Sequence, residues 1–193
     1  TRLTDLDFSH TRVTDVCALS VCVSLRSLNM QSTGVVDIAA LSCCTELIEL
    51  RASCSRISNL RPLSSCTALR TLILTSSEVA DIHPLSSCTA LQRLLLQQSR
   101  VTDITALSCC TALEHLNLSQ TRVADIFPLS MCPRLRDLYL HHTRVVDFTP
   151  LAQCHGIRTL GAKETPQPTR SQRAMFWVVG VIRQVKRWLR GIW

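Results

Sequence analysis

Residues 113–134 read LEHLNLSQTRVADIFPLSMCPR, and this stretch decides the fold. The same pattern of Leu, Thr, Val, Asp, Ile, Pro and Cys returns every 22 residues on both sides of it. Three columns of seven residues carry the period: Asp15, Asp37, Asn59, Asp81, Asp103, Asp125 and Asp147; Leu19, Leu41, Leu63, Leu85, Leu107, Leu129 and Leu151; Cys22, Cys44, Cys66, Cys88, Cys110, Cys132 and Cys154. Eight units begin at Leu3, Leu25, Leu47, Leu69, Leu91, Leu113, Leu135 and Ile157, and the last decays after Ala162. A fixed period of this length is the signature of a repeat architecture.

Each unit predicts one coil of a solenoid. The Leu-x-x-Leu-x-Leu segment predicts a short strand whose alternate side chains face the core. One strand per coil stacks into a parallel sheet on the concave side, and the Asp-Ile-x-Pro-Leu segment predicts a tight turn or a 3₁₀ helix on the convex side. The expected fold is therefore an α/β repeat solenoid, a right-handed arc that ends in a C-terminal helix. Its stability comes from the stacking of neighbouring coils.

The unit resembles the 22-residue repeat of the internalin and SDS22-like leucine-rich-repeat proteins, which share the Asp-Ile-x-Pro-Leu turn. The resemblance covers residues 1–162 and implies the fold, but one fold hosts many functions. The chain departs from the family where the late Leu is Cys and where the ninth residue is Thr or Ser instead of Asn: Thr11, Thr33, Ser55, Ser77, Ser99, Thr121 and Thr143. The Thr-x-Val-x-Asp form with its Cys column also resembles leucine-rich-repeat proteins of trypanosomatid parasites, some of them surface-antigen-like.

The cysteine column is expected to be a row of small buried hydrophobic side chains. Equivalent residues on successive coils lie about 4.8 Å apart, which is inside the Cα range of disulfides, so a vertical disulfide is the alternative. No Cys-x-x-Cys pair occurs, and no metal site is predicted. Free buried thiols favour a cytoplasmic location, with a membrane-associated or cell-surface location as the alternative.

Two polar columns are expected to support the turns. The Asp column precedes the convex turn, where a carboxylate accepts hydrogen bonds from free backbone N–H groups, and Asn59 fits that role without a charge. The Thr/Ser column predicts a ladder of internal hydroxyls that satisfies loop backbone.

One pair of residues suggests catalysis. His115 and Asp137 share the third strand position on neighbouring coils, so about 5 Å separates them. Ser119 and His141 lie four residues further along, too far to supply a nucleophile. We therefore predict a surface His–Asp pair, no enzyme activity and no cofactor.

The concave face is the predicted binding surface. Residues at the third, fifth and seventh positions of each unit point outward, and Ile73 and Leu95 form an exposed apolar pair with polar neighbours. Tyr139, the sole tyrosine, lies beside Asp137 and His141. The candidate partner-binding residues are Arg51, Ile73, Arg93, Leu95, Asn117, Asp137, Tyr139 and His141. The tenth position adds a basic edge: Arg12, Arg56, Arg100, Arg122 and Arg144.

The net charge of +7 is concentrated at the end of the chain. Residues 163–193 hold seven Lys/Arg and one Glu, which leaves fourteen Lys/Arg and thirteen Asp/Glu for residues 1–162. The solenoid is therefore almost neutral, and nucleic acid is not an expected partner.

The end of the chain is predicted to be a linker, residues 163–173, followed by a basic amphipathic helix, residues 174–193. The aliphatic stripe of this helix suits a cap on the last coil, an anionic membrane surface or a partner groove. The candidate contact residues are Trp177, Arg183, Lys186, Arg187, Trp188, Arg190 and Trp193.

These patterns predict a scaffold that binds a protein through its concave sheet. The alternative is a membrane-associated or surface-displayed module tethered by the basic tail. The sequence does not identify the partner.

Overall fold

The computed structural model describes residues 2–162 and 165, and each 22-residue unit forms one coil. One three-residue strand per coil builds a parallel sheet in which neighbours along the chain are neighbours in space. Successive strands pair in a register of 22 residues, so that Leu72 lies between Leu50 and Leu94. The strands are β1 (Asp5–Asp7), β2 (Ser27–Asn29), β3 (Glu49–Arg51), β4 (Thr71–Ile73), β5 (Arg93–Leu95), β6 (His115–Asn117), β7 (Asp137–Tyr139) and β8 (Thr159–Gly161).

The strands are shorter than the Leu-x-x-Leu-x-Leu pattern suggests. They occupy only the third to fifth positions of the unit, because the chain bends soon afterwards. The eighth residue of seven coils has a left-handed backbone with φ between 54° and 61°, which ends the extended segment. These residues are His10, Ser32, Cys54, Ser76, Gln98, Gln120 and His142. Seventh-position residues, including His141, therefore lie in the turn after the strand.

The convex side of the described coils carries 3₁₀ helices, as predicted. Each has five residues: Cys17–Val21, Ala39–Cys43, Arg61–Ser65, His83–Ser87, Thr105–Cys109, Phe127–Met131 and Thr149–Gln153. Four of them have Pro as their second residue. Proline suits this place because its φ is already near the helical value and the first turn leaves its nitrogen without an acceptor.

The core between sheet and convex turns is aliphatic. Leu and Val from the repeat columns are fully buried in the central coils, and the cysteine column is buried with them. At the N-terminal end the core is more open, because Leu6, Phe8 and Val13 are only partly buried. All eleven cysteines are free thiols in the structure, so it shows no vertical disulfide.

The Asp column supports the convex turns as predicted. Asp37 accepts a hydrogen bond from the N–H of Ala39 at 2.8 Å, and Asn59 accepts one from Arg61 at 3.0 Å. The same bond recurs in the other five members of the column. The acceptor lies one residue before the N-cap position of each 3₁₀ helix and closes a turn over it.

The Thr/Ser column satisfies backbone carbonyls, with two exceptions. The hydroxyl of Thr33 donates to the carbonyl oxygen of Met30 at 2.7 Å, and other members repeat this bond. Among the described residues, the buried hydroxyls of Ser77 and Ser99 have no hydrogen-bond partner. Thr165 extends the column beyond Ala162, where we expected the unit to decay, because it donates to Ala162 at 3.0 Å.

The predicted C-terminal helix, residues 174–193, lies outside the described residues. So does the predicted linker, residues 163–173, apart from Thr165.

Candidate functional site

The centre of the concave sheet carries an apolar pair. Ile73 and Leu95 are register partners on β4 and β5, the two middle strands. Both are half-buried, which corrects the expectation that they are exposed. Side chains opposite each other on one face of a sheet lie close enough to shield each other from water. The pair therefore presents one continuous apolar surface and not two isolated side chains.

Arginines lie beside this apolar pair. Arg93 begins β5 and is exposed, and Arg51 is exposed at the end of β3. Arg51 donates to the carboxylate of Glu49 at 2.5 Å, and the Arg51 side chain remains 50% exposed. Both guanidinium groups are therefore accessible from the concave side.

His115 and Asp137 form the predicted pair. Nδ1 of His115 lies 2.6 Å from a carboxylate oxygen of Asp137, and both side chains are partly buried. The pKa of Asp137 is lowered, first by a hydrogen bond from the side chain of Thr159 and then by His115. The carboxylate is thus held ionised between two neighbours, which fixes the imidazole on the concave face.

Tyr139 and His141 form an aromatic surface next to that pair. Their ring centroids are 6.3 Å apart, with a tilt of 37° between the planes. Both rings lean over Gly161, because a Cβ there would lie 2.9 Å from Cδ1 of Tyr139 and even closer to His141. The glycine on β8 therefore leaves the space that the two rings occupy.

Asn117 has a structural contact as well as a place on the concave face. Its side-chain oxygen accepts a hydrogen bond from the N–H of Ser119 at 2.9 Å. The side-chain nitrogen of Asn117 takes no part in that hydrogen bond.

Ser119 is not positioned as a catalytic nucleophile. The buried hydroxyl of Ser119 has no hydrogen-bond partner among the described residues, so it is not activated by a base. Residues 2–162 hold no group of three or more His, Cys, Asp or Glu side chains that could bind a metal ion.

The basic edge at the tenth position is a row of exposed arginines. The guanidinium of Arg100 lies 3.6 Å from the carboxylate of Glu78, which interrupts the row. The row thus has the properties of a solvated rim.

Two features were not foreseen from the sequence. One is the left-handed residue at the eighth position, which no glycine marks. The other is a basic cleft of about 590 Å³ beside Arg134, Arg136 and Arg158. Its signal in the sequence is a change in the repeat consensus at the junctions between the last coils.

The predicted tail contacts lie outside the described residues: Trp177, Arg183, Lys186, Arg187, Trp188, Arg190 and Trp193. Within the described part of the chain, no helix has the length and apolar character needed to cross a membrane.

Comparison with known proteins supports the same fold. Residues 111–153 match the family model for leucine-rich repeats (2 copies). No curated protein sequence matches the chain significantly.

Two solved internalins from Listeria monocytogenes superimpose on most of the chain. Internalin InlF is 25% identical with a TM-score of 0.84, and the match covers 89% of this chain and 51% of InlF. Internalin C2 is 26% identical with a TM-score of 0.84, and the match covers 89% of this chain and 76% of internalin C2. The chain thus spans about half the length of InlF.

A plant receptor shares the fold at lower identity. The ectodomain of the receptor kinase GASSHO1/SCHENGEN3 from Arabidopsis thaliana, solved in complex with CASPARIAN STRIP INTEGRITY FACTOR 2, is 20% identical with a TM-score of 0.74. This match covers 83% of the present chain and 21% of the receptor chain. The 22-residue register, the eight-stranded sheet and the two internalin matches agree that the chain has a leucine-rich-repeat fold similar to that of the internalins.

Proposed function

We propose that the chain is a binding module that holds a protein partner on its concave sheet. The observation that carries this proposal is the half-buried pair Ile73 and Leu95 on the middle strands. An apolar surface rimmed by polar and charged groups is typical of a contact site. Arg51 and Arg93 supply such a rim.

A second group of anchors lies toward the C-terminal end of the same sheet. Tyr139 and His141 present two rings that are held in place above Gly161. The His115–Asp137 pair beside them is already hydrogen-bonded, so little side-chain entropy remains to be lost on binding. Aromatic and arginine side chains of this kind supply most of the energy in many interfaces.

Proteins with this fold support the proposal. The plant ectodomain that resembles the chain is solved with CASPARIAN STRIP INTEGRITY FACTOR 2 bound, so the same solenoid architecture accommodates a protein ligand. For the present chain, the proposed partner is likewise a protein.

The proposal includes no enzyme activity and a cytoplasmic location. Ser119 is not proposed as a nucleophile, because its side-chain hydroxyl has no hydrogen-bond partner among the described residues and a nucleophile needs a base within reach. The row of free buried thiols supports the cytoplasmic location, since reduced cysteines persist in the cytoplasm. The alternative of tethering to a membrane depends on residues 174–193, which are outside the described part.

Site-specific photo-crosslinking tests the proposal. A photoreactive amino acid is placed at Arg93 or Thr71 on the concave face, and at His83 or Ser87 on the convex face. Full-length chain carrying each label is irradiated in extracts of the source cells, and adducts are identified by mass spectrometry. The proposal expects one protein to be enriched by both concave labels and by neither convex label. Equal adducts from both faces would refute a concave site.

A further inference from the structure

The last junctions between coils break the consensus of the repeat. Positions 21 and 22 of the unit read Thr-Ala at three junctions, residues 67–68, 89–90 and 111–112. The next two junctions carry Pro133-Arg134 and His155-Gly156 instead. The first two junctions also differ from Thr-Ala, with Val23-Ser24 and Thr45-Glu46, so the last two are distinguished by Arg134 and Gly156 and not by departure alone.

These departures coincide with a cleft of about 590 Å³ at the edge of the last three coils. Arg134, Arg136 and Arg158 line it together with Glu114, which gives the lining three positive charges and one negative charge. Gly156 lies in the wall, where a Cβ would be only 3.3 Å from the carbonyl oxygen of Leu135. A side chain at position 156 would therefore press on that carbonyl, which glycine avoids.

Two of the three arginines form no salt bridge within the described solenoid. Glu114 pairs with Arg136 at 3.0 Å and neutralises that guanidinium. Both Arg134 and Arg158 are exposed, and the positive charge of Arg158 also helps to lower the pKa of the Asp137 carboxyl on the concave face.

In the second coil, an acidic residue at the junction neutralises the neighbouring arginine. There position 22 is Glu46, and its carboxylate lies 3.1 Å from the guanidinium of Arg26 at position 2. In the sixth coil position 22 is Arg134, so the acidic partner is replaced by a further cation. The charge of the cleft is thus a property of these coils and not of the repeat.

We propose that this cleft binds an acidic segment of a protein partner through its side-chain oxyanions, either carboxylates or phosphate esters. Guanidinium groups bind both kinds of oxyanion with paired N–H donors. The cleft has a volume of about 590 Å³ and carries two guanidinium groups without a salt bridge in the described solenoid, which suits a short anionic stretch.

Other anionic partners fit the described solenoid less well. Residues 1–162 carry fourteen Lys/Arg and thirteen Asp/Glu, so they lack the excess of cations that nucleic acid or a membrane surface attracts. Residues 163–193 contain one acidic side chain, Glu164, against seven Lys/Arg, so they offer no acidic stretch to the cleft.

The inference goes beyond the proposed concave site. The three arginines of the cleft occupy positions 22 and 2 of the unit, whereas Ile73, Leu95 and Tyr139 occupy position 5 on the sheet. The two proposals are tested by different substitutions and different ligands, so the failure of one is distinguishable from the failure of the other.

Fluorescence anisotropy with a labelled octaglutamate peptide tests the cleft on the full-length chain at low ionic strength. The variant Arg134→Gln/Arg158→Gln removes the two unpaired guanidinium groups, and Arg12→Gln/Arg56→Gln removes two exposed arginines from the tenth-position edge as the matched control. We expect the cleft variant to bind about tenfold more weakly or worse, since each lost charge-assisted hydrogen bond reduces affinity by about that factor. The control should bind as the unchanged chain does, and thermal melts of both variants should match it because all four residues are exposed.

Competition and binding measurements with other anions test which class of partner the cleft binds. A phosphoserine peptide should compete with octaglutamate, and an octaglutamine peptide should not. An equal loss of binding in both variants, or no loss in either, would overturn the proposal. Tighter binding of duplex DNA or of anionic vesicles through the same two arginines would overturn the assignment to a protein segment. So would a dimer that Arg134→Gln/Arg158→Gln abolishes, because a second copy would then be the occupant.

Discussion

The thiol of Cys66 donates a hydrogen bond to the carbonyl oxygen of Leu41 on the preceding coil, with 3.4 Å between Sγ and O. The same carbonyl oxygen also accepts the N–H of Cys44, so the thiol hydrogen bond occupies the second lone pair of that oxygen. The bond recurs between Cys88 and Leu63 at 3.5 Å and at every later coil of the column. A leucine at this position would fill the space but leave the second lone pair unused. The cysteine column therefore links coils by hydrogen bonds as well as by packing.

Burial of this column predicts selective thiol reactivity. The seven column thiols are buried, and Cys17, Cys43, Cys54 and Cys109 are exposed. Only thiolate attacks disulfide reagents, and burial raises the pKa of Cys110 and Cys132 to about 12. A disulfide reagent at pH 7.5 (roughly the range in which exposed thiols begin to ionise) should therefore label four cysteines in the folded chain and eleven in urea. Rapid labelling of a column thiol, or a disulfide between column members in mass spectra, would contradict this account.

The same thiols predict loss of stability at alkaline pH. Burial raises the pKa of Cys66 to about 12 and that of Cys88 to about 11, above their ordinary value of 9.0. Because the unfolded chain ionises first, the stabilisation is complete below pH 9 and is lost as the pH rises from 9 toward 11. The free energy of unfolding should fall by up to about 1 kcal/mol per buried thiol for each pH unit in that window.

Urea titrations from neutral to alkaline pH check this dependence. The variant Cys66→Ala/Cys88→Ala should show a shallower decline than the unchanged chain, and the exposed-site variant Cys43→Ala/Cys109→Ala should decline with the unchanged slope. Identical slopes for all three proteins would show that the buried thiols do not carry the effect.

The convex turns predict a difference between Asp→Ala and Asp→Asn. Asp125 accepts a hydrogen bond from the N–H of Phe127 at 2.7 Å, and Asn59 makes the same bond naturally at 3.0 Å. We expect Asp125→Ala to lower the free energy of unfolding by about 1 kcal/mol and Asp125→Asn to change it little. Chemical denaturation measures both. If the two variants were destabilised equally, the negative charge and not the turn hydrogen bond would be the stabilising feature.

The left-handed eighth position predicts a stabilising substitution. Cys54 is exposed with a φ of 54°, a region that L side chains other than Asn and Asp disfavour. Cys54→Gly should stabilise the chain by about 1 kcal/mol, since glycine adopts this backbone without a steric cost. The neighbouring change Ser53→Gly is the control and should destabilise, because Ser53 does not have a positive φ. Melting temperatures that move in the same direction for both would contradict the backbone explanation.

The period made most of the fold predictable, because Leu50, Leu72 and Leu94 recur at equal spacing and equal spacing forces one strand per coil. The support of each turn by Asp103 and its equivalents was also predictable from the free N–H groups of the turn.

Other features depend on contacts that a repeat pattern does not encode. The strands are shorter than the leucines suggest because a left-handed residue ends each extended segment. That residue is Ser, Gln, His or Cys, and none of these residue types marks the conformation as glycine does. The half-burial of Ile73 depends on its neighbour across the sheet, Leu95. The charge of the cleft depends on which acid pairs with which arginine, and Glu114 pairs with Arg136 and not with Arg134.

Binding affinity for the partner identified by crosslinking tests the central claim most directly. Isothermal titration of that purified partner is carried out with the unchanged chain, with Ile73→Ala, Leu95→Ala and Tyr139→Ala, and with the convex control His83→Ala. The account predicts that each concave variant weakens binding by about 1 kcal/mol or more and keeps its cooperative melt, while His83→Ala binds normally. Unchanged affinity in all three concave variants, or an equal loss in His83→Ala, would contradict a binding site on the concave sheet.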